Sequence, residues 1–387
     1  MKTFFRLVVS VASLIICLLL AELFLEVFAP VPDPFEQLKY VQPVNHYIRS
    51  EHPPNFSLTT EPEAGLPGVH GRNRFSTNNM GFRGDDLIVP KPKDEFRIFI
   101  VGGSTTECLY IDDAKALNRV VQEQLQGHAP AGVNVKVYGA GKAGDASDDH
   151  VSMIVHRLVH LEPDMIILFA GVNDLTRAIY RYDYLHYDYR YEGFEAAKTK
   201  LPLWKLLATE FQLPRRILIL KQRLAPNERE VLEAITAKSA YQEKVRLRAA
   251  APRTDARPRL ELDAYANNLR TIIGVAQAHK IQLVFMTQQS TWNSGVDPNA
   301  QNWHWMLYRA GVTYREDFMD EALEALNEQM RRLAADNAVP LYDLAKAMPK
   351  SLEFFYDDVH FNERGANTAG IDLAAFIKEK NLIKSSR

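Results

Sequence analysis

Four short stretches of this chain hold residue types that can do chemistry together. The first is Gly102-Gly103-Ser104-Thr105-Thr106-Glu107, which follows the apolar run Ile98 to Val101. A run of that length and make-up reads as a buried strand. The two glycines permit a tight turn. The Ser104 hydroxyl then stands at the strand's carboxyl end, where open α/β sheets bind their ligands. A helix starting just beyond it aims backbone N–H groups at whatever the serine attacks. Taken alone, the stretch also reads as a Gly-Gly-Ser loop with a helix cap.

The second stretch is Val137-Tyr138-Gly139-Ala140-Gly141-Lys142-Ala143-Gly144-Asp145-Ala146-Ser147. A strand ends, glycines follow, and Asp145 or Ser147 caps the next helix. Gly144 lets its own N–H come close to a ligand, and Lys142 reads as a solvated side chain, with contact to an anion as the alternative. The third is Phe169-Ala170-Gly171-Val172-Asn173-Asp174, after the apolar strand Met165 to Leu168. Asn173 there aims its amide into the same crevice, or else serves as turn or cap chemistry. The fourth is Phe355-Tyr356-Asp357-Asp358-Val359-His360. Within one turn, Asp357 can accept a hydrogen bond from one ring nitrogen of His360. That fixes the tautomer and leaves the other nitrogen as a base. Asp358 competes for that place.

Taken together the four supply a nucleophile, a base, an orienting acid and donors for an oxyanion, which is the equipment of acyl transfer. In these blocks the chain resembles the SGNH hydrolases, also called GDSL-type esterases. Ser104, Gly144, Asn173 and His360 with Asp357 stand at the family's positions. The resemblance runs from about residue 75 to the C-terminus. It departs at Gly103, where the name motif has Asp, and at Gly139, where many members carry Asn. It implies a flavodoxin-like three-layer α/β/α sandwich with a parallel five-stranded sheet. It also implies a Ser104–His360–Asp357 triad, with the Ser104 and Gly144 N–H groups and the Asn173 amide as the oxyanion hole. No metal and no cofactor are called for. The substrate is an acyl ester, on a glycan or a lipid. Two alternatives stay open: an O-acyltransferase on an envelope polysaccharide, and a catalytically silent binding module of the same fold.

Other candidates read more simply as structure. His156 and His160 lie one helical turn apart without the glutamate of a His-Glu-x-x-His motif. Trp303, His304 and Trp305 suit a sugar-binding rim or a packed loop equally. Cys108 has no neighbour that activates a thiolate.

The elements that position these blocks follow from periodicity. Strands are expected at 97–102, 135–139, 164–170, 281–287 and 340–343, and helices at about 114–127, 148–160, 262–279, 317–337 and 365–379. Such alternation predicts a parallel sheet covered on both faces, with right-handed crossovers. One segment, 176–260, breaks the rhythm and is too long for a simple connection. It opens with Tyr180, Tyr182, Tyr184, Tyr187, Tyr189 and Tyr191, continues through Trp204, Lys205, Arg215, Arg216, Lys221 and Arg223, and holds eighteen Lys or Arg against ten Asp or Glu. It reads as a helical insertion with a solvated basic face, or as a lid or surface for anionic lipid. Residues 31–74, rich in proline, read as a stalk and irregular structure, and 75–84 as a strand and two turns that form a structural lead-in to a domain over 75–387.

The N-terminus carries an address. Lys2 and Arg6 precede an apolar stretch from Leu7 to Phe28, interrupted only by Glu22 and Glu26. About twenty such residues cross a bilayer as a helix. Leu19 at −3 or Pro30 at +1 suits no signal-peptidase site. Residues 1–30 are therefore expected to be an uncleaved, single-pass anchor in a bacterial inner membrane, its basic start cytoplasmic and the catalytic domain periplasmic. A net charge of −2 argues against a general nucleic-acid binder, and two cysteines make no disulfide framework. Nothing in the sequence sets an oligomeric state.

Overall fold

The computed structural model describes residues 2–31, 47–48, 51–62, 65–179, 207, 211–224, 245–293, 298–309 and 311–383. The tyrosine cluster at 180–191 and Trp204–Lys205 lie outside the described residues, as does most of the proline-rich stretch before residue 47. The chain divides into two compact units, one of Met1–Gln42 with Tyr191–Ala240 and one of Pro43–Arg190 with Tyr241–Arg387.

In the larger unit, residues 57–60 form strand β1 (Ser57–Thr60), which pairs antiparallel with β2 (Asn73–Ser76) in the register Ser57 opposite Ser76. This ladder corrects the reading of 57–60 as irregular: four mostly polar residues show no period long enough to detect. The main sheet is made of β3 (Glu95–Gly102), β4 (Asn134–Gly141), β5 (Met165–Phe169), β6 (Gln282–Met286) and, at its edge, the short β9 (Leu341–Tyr342). Between the last two lies a small antiparallel pair, β7 (Tyr308–Arg309) and β8 (Val312–Thr313). The main sheet runs β4-β3-β5-β6-β9, all parallel. All eight residues of β3 and all five of β5 are buried, as a sheet covered on both faces requires.

Successive side chains explain the two outer layers. Phe99, Val101, Ile166, Leu168 and Phe285 face one core, shared with α4 (Ser147–His156), α7 (Leu262–Ala278) and α8 (Glu316–Asp336). Ile98, Ile100, Val137, Met165 and Val284 face the other, shared with α3 (Leu117–Gln126) and α9 (Glu363–Glu379). The expected flavodoxin-like three-layer sandwich is the observed fold. Counting the five main strands in chain order, the order is 2-1-3-4-5, and its direction reverses between β3 and β5. Their carboxyl ends therefore flank the crevice where such sheets place ligands. Two helices complete the elements that matter for the site, α2 (Ser104–Glu107) directly after β3 and α5 (Val172–Ile179) directly after β5.

In the smaller unit, α1 (Lys2–Phe28) is a helix apolar enough from Phe4 to Phe28 to cross a membrane. Its described companion is α6 (Gln212–Leu224).

Candidate active site

Ser104 is the first residue of α2, at the mouth of the β3/β5 crevice. Its Oγ lies 2.7 Å from His360 Nε2, a distance at which the imidazole can take the hydroxyl proton. The opposite ring nitrogen, Nδ1, lies 2.7 Å and 2.9 Å from the two carboxylate oxygens of Asp357. Asp357 Oδ1 also accepts the backbone N–H groups of Val359 at 3.0 Å and His360 at 2.9 Å. This is an Asx turn, and it is why a carboxylate three residues ahead of a histidine can face its ring. Burial works against charge on Asp357. The imidazole beside it and these N–H donors outweigh that and hold its pKa below the ordinary value. The Tyr356 ring stacks nearly parallel on His360, with centroids 5.4 Å apart.

The two neighbouring aspartates do different things. Asp358 turns away from His360 and accepts from Trp292 Nε1 at 2.7 Å, Trp305 N at 2.8 Å and Met306 N at 3.1 Å. Burial raises its pKa. Asp357 is thus the histidine's partner, and Asp358 is the peg on which the 303–306 loop hangs. That loop delivers Trp305, whose indole N–H donates to Asp357 Oδ2 at 3.0 Å. Trp305 therefore belongs to the acid–base side of the site, while His304 is buried and bonded to Thr291 Oγ1 at 2.7 Å; the rim reading fails for His304.

Gly144 and Asn173 lie in the loop after β4 and at the start of α5. Gly144 is exposed with φ +82°, a conformation that favours glycine. Asn173, in the first turn of α5, donates from Nδ2 to Asp145 O at 2.8 Å. A primary amide carries two such hydrogens, so one remains. The amide lies directly over Gly103, where an added Cβ would meet Asn173 Nδ2 at 2.4 Å. The departure from the family's Asp at position 103 thus has a steric reason in this chain.

Three buried acids hold the loop between β4 and α4. Glu107 in α2 has its carboxylate 2.9 Å from His52 Nε2 and 3.6 Å from Lys142 Nζ. Burial alone would raise its pKa; Lys142, His52 and the Ala143 N–H reverse that and bring it to about 2. The reading of Lys142 as solvated is corrected: it is 4% exposed and faces Glu107. Asp174 bonds the Ser147 hydroxyl and accepts the Ser147 N–H at 3.1 Å. Burial, aided by Asp148, pushes its pKa up to about 7 against the pull of Ser147 and Arg177. Asp149 Oδ2 accepts the Ala146 N–H at 3.0 Å. Ala146 is the cap residue of α4, so neither Asp145 nor Ser147 has the expected capping role.

Several supporting residues escaped the sequence reading. Arg83, in the 75–84 lead-in, donates to Glu107 O at 2.9 Å and Cys108 O at 2.8 Å and pairs with Asp113 at 3.0 Å, closing the carboxyl end of α2. A charged residue between two turn glycines was the available signal. His156 stacks on Tyr47 at 4.4 Å. Burial raises the Cys108 thiol pKa, which keeps it inert.

No curated protein matches the chain. Among solved structures it is similar to the lipase/acylhydrolase from Enterococcus faecalis, at 16% identity and a TM-score of 0.40 over 73% of this chain and 96% of that one. It is also similar to an acetylxylan esterase from Geobacillus stearothermophilus, at 13% identity and a TM-score of 0.40 over 76% and 99%. The profile of the GDSL-like Lipase/Acylhydrolase family matches residues 100–367, from within the strand that leads to Ser104 to the helix that follows His360. The chain belongs to that family of ester-bond hydrolases.

Proposed function

We propose that this protein is a serine esterase acting outside the cytoplasm, anchored by residues 1–30 and carrying its catalytic domain over 75–387. Ser104 attacks the acyl carbonyl while His360 takes its proton through Nε2. Asp357 stabilises the imidazolium through Nδ1 and does not itself take the proton. The Ser104 and Gly144 N–H groups and the second Asn173 amide hydrogen receive the tetrahedral oxyanion. His360 returns the proton to the leaving alcohol, and water, activated by the same imidazole, releases the acid. An acylated glycan or lipid is the substrate class that suits this setting.

The observation that carries the reading is the continuous hydrogen-bond chain Ser104 Oγ–His360–Asp357 at the sheet's switch point. The test is turnover of a short-chain aryl acetate by the full chain in detergent, beside Ser104→Ala and His360→Ala. Each variant is expected to lose about 10⁶-fold in kcat, as when a member of such a triad is removed. Unchanged turnover in Ser104→Ala would refute the serine mechanism.

A further inference from the structure

We propose that α6 lies in the membrane–water interface, fixed to the exit end of the anchor α1, with its Ile217 and Leu220 side in lipid. The inference rests on the reading of α1 as a retained anchor and adds a second membrane contact to it.

Depth follows from Glu22. Counting about twenty residues of bilayer crossing from Leu7 ends the crossing near Glu26, so Glu22 sits at or just inside the hydrocarbon boundary. A carboxylate there is costly unless it is bonded. The Glu22 carboxylate accepts the backbone N–H groups of Gln212 and Leu213, the latter at 2.9 Å. These are the otherwise orphaned donors of the first turn of α6. The start of α6 is therefore held at the depth of Glu22.

Orientation follows from the polar side chains. Gln212 Oε1 accepts the Val31 N–H at 2.8 Å, Arg215 donates to Val31 O at 2.8 Å, and Arg216 donates to Ala29 O. All three bond the stretch that directly follows α1. Gln212 and Arg215 are 3% and 8% exposed, whereas Ile217 and Leu220 are 56% and 57% exposed. A helix in water buries its apolar side and shows its polar one; the described side chains of α6 do the reverse. Phe24 and Phe28 of α1 are exposed as well. Lipid, which surrounds α1 in the anchor reading and reaches the depth of Glu22 where α6 is tied, is the occupant this attachment selects.

The test uses the full chain in nanodiscs of phosphatidylethanolamine and phosphatidylglycerol. A nitroxide is placed on native Cys17, or on Ile217→Cys or Leu220→Cys in a Cys17→Ser background, with Glu379→Cys as the aqueous reference. Cys108 is buried and takes no label. Collisions with oxygen and with a water-soluble nickel chelate then report depth. Expected is oxygen-dominated relaxation at Cys17, and at residues 217 and 220 a depth of about 5–10 Å below the headgroup boundary. A lipid-buried Cys17 label with chelate-exposed labels at 217 and 220 overturns the interfacial helix and leaves the anchor intact. A chelate-exposed Cys17 label, or a mature chain lacking Cys17, removes the anchor and this proposal with it.

Discussion

Ser104 and Asn173 stand at the ends of long, fully buried strands, whereas His360 stands in a turn well past the last strand of the sheet. The nucleophile side inherits its position from the backbone. β3, β5 and β4 are locked in register, and the loops that leave them are braced by Glu107, Asp149 and Asp174. The base side has no such frame. Its turn is closed by local backbone bonds, Tyr356 N–H to His360 O and Asn362 N–H to Phe354 O, both at 3.0 Å, and it is tied to the rest of the fold largely through side chains: Asp357 on the turn's own N–H groups, Asp358 on the 303–306 loop, and Trp305 returning from that loop to Asp357. The side held by backbone is expected to suffer more from crowding, and the side tied in largely by side chains more from loss of a link.

Substitutions on the two sides test that contrast. The largest effect is expected from Asp357→Asn, about 10⁴-fold in kcat by analogy with triads whose histidine loses its orienting carboxylate; full activity would show that the turn N–H groups alone orient His360. Asn173→Ala is expected to cost about 10²–10³-fold in kcat with KM nearly unchanged, the signature of a transition-state donor. Gly103→Ala removes no donor but displaces the same amide, and about a hundredfold loss is expected from crowding alone. A neutral result there would break the claim that the backbone side fails by crowding. Trp305→Phe keeps the packing and deletes one hydrogen bond to a charged group. About a tenfold loss in kcat is expected, and a loss larger than that of Asn173→Ala would make the link, not the donor, the weaker point.

The smallest effect on rate, and a visible one on stability, is expected at Asp174. Its folded pKa of about 7 exceeds the unfolded carboxyl value. The folded state therefore holds the extra proton between those values. The contribution to stability is complete below the unfolded pKa and is lost as pH rises through 7. Thermal melts from pH 4 to 8 should show the parent falling relative to Asp174→Asn across that range. Parallel curves would mean that Asp174 titrates normally.

The same contrast explains what the sequence made legible. Strands as apolar as Ile98–Val101 and Met165–Phe169 announce themselves, and the candidate groups just beyond them, Ser104 and Asn173, were readable from spacing. So was Asp357, because an Asx turn is local. The ambiguity between Asp357 and Asp358 was not resolvable, since it is decided by Trp292 and the 303–306 loop, far away in the chain. Lys142 looked like a surface charge because its burial depends on Glu107, which is near in the fold and distant in the chain. Strand β1 was silent because four mostly polar residues carry no period, while β2 was signalled only where the strand reading begins at Phe75.

The bond between Ser104 and His360 joins residues 256 positions apart. At about 5–20 residues per second of synthesis, the histidine emerges some ten to fifty seconds after the serine. The edge strand β9 and the helix α9, which covers the Ile98 and Val137 face, come in the same final portion of the chain. A nascent chain thus carries its proposed nucleophile without a base through most of its manufacture. On the proposed mechanism, products that end before His360 are expected to be inert, and the last stretch to be made both seals the sheet and supplies the base.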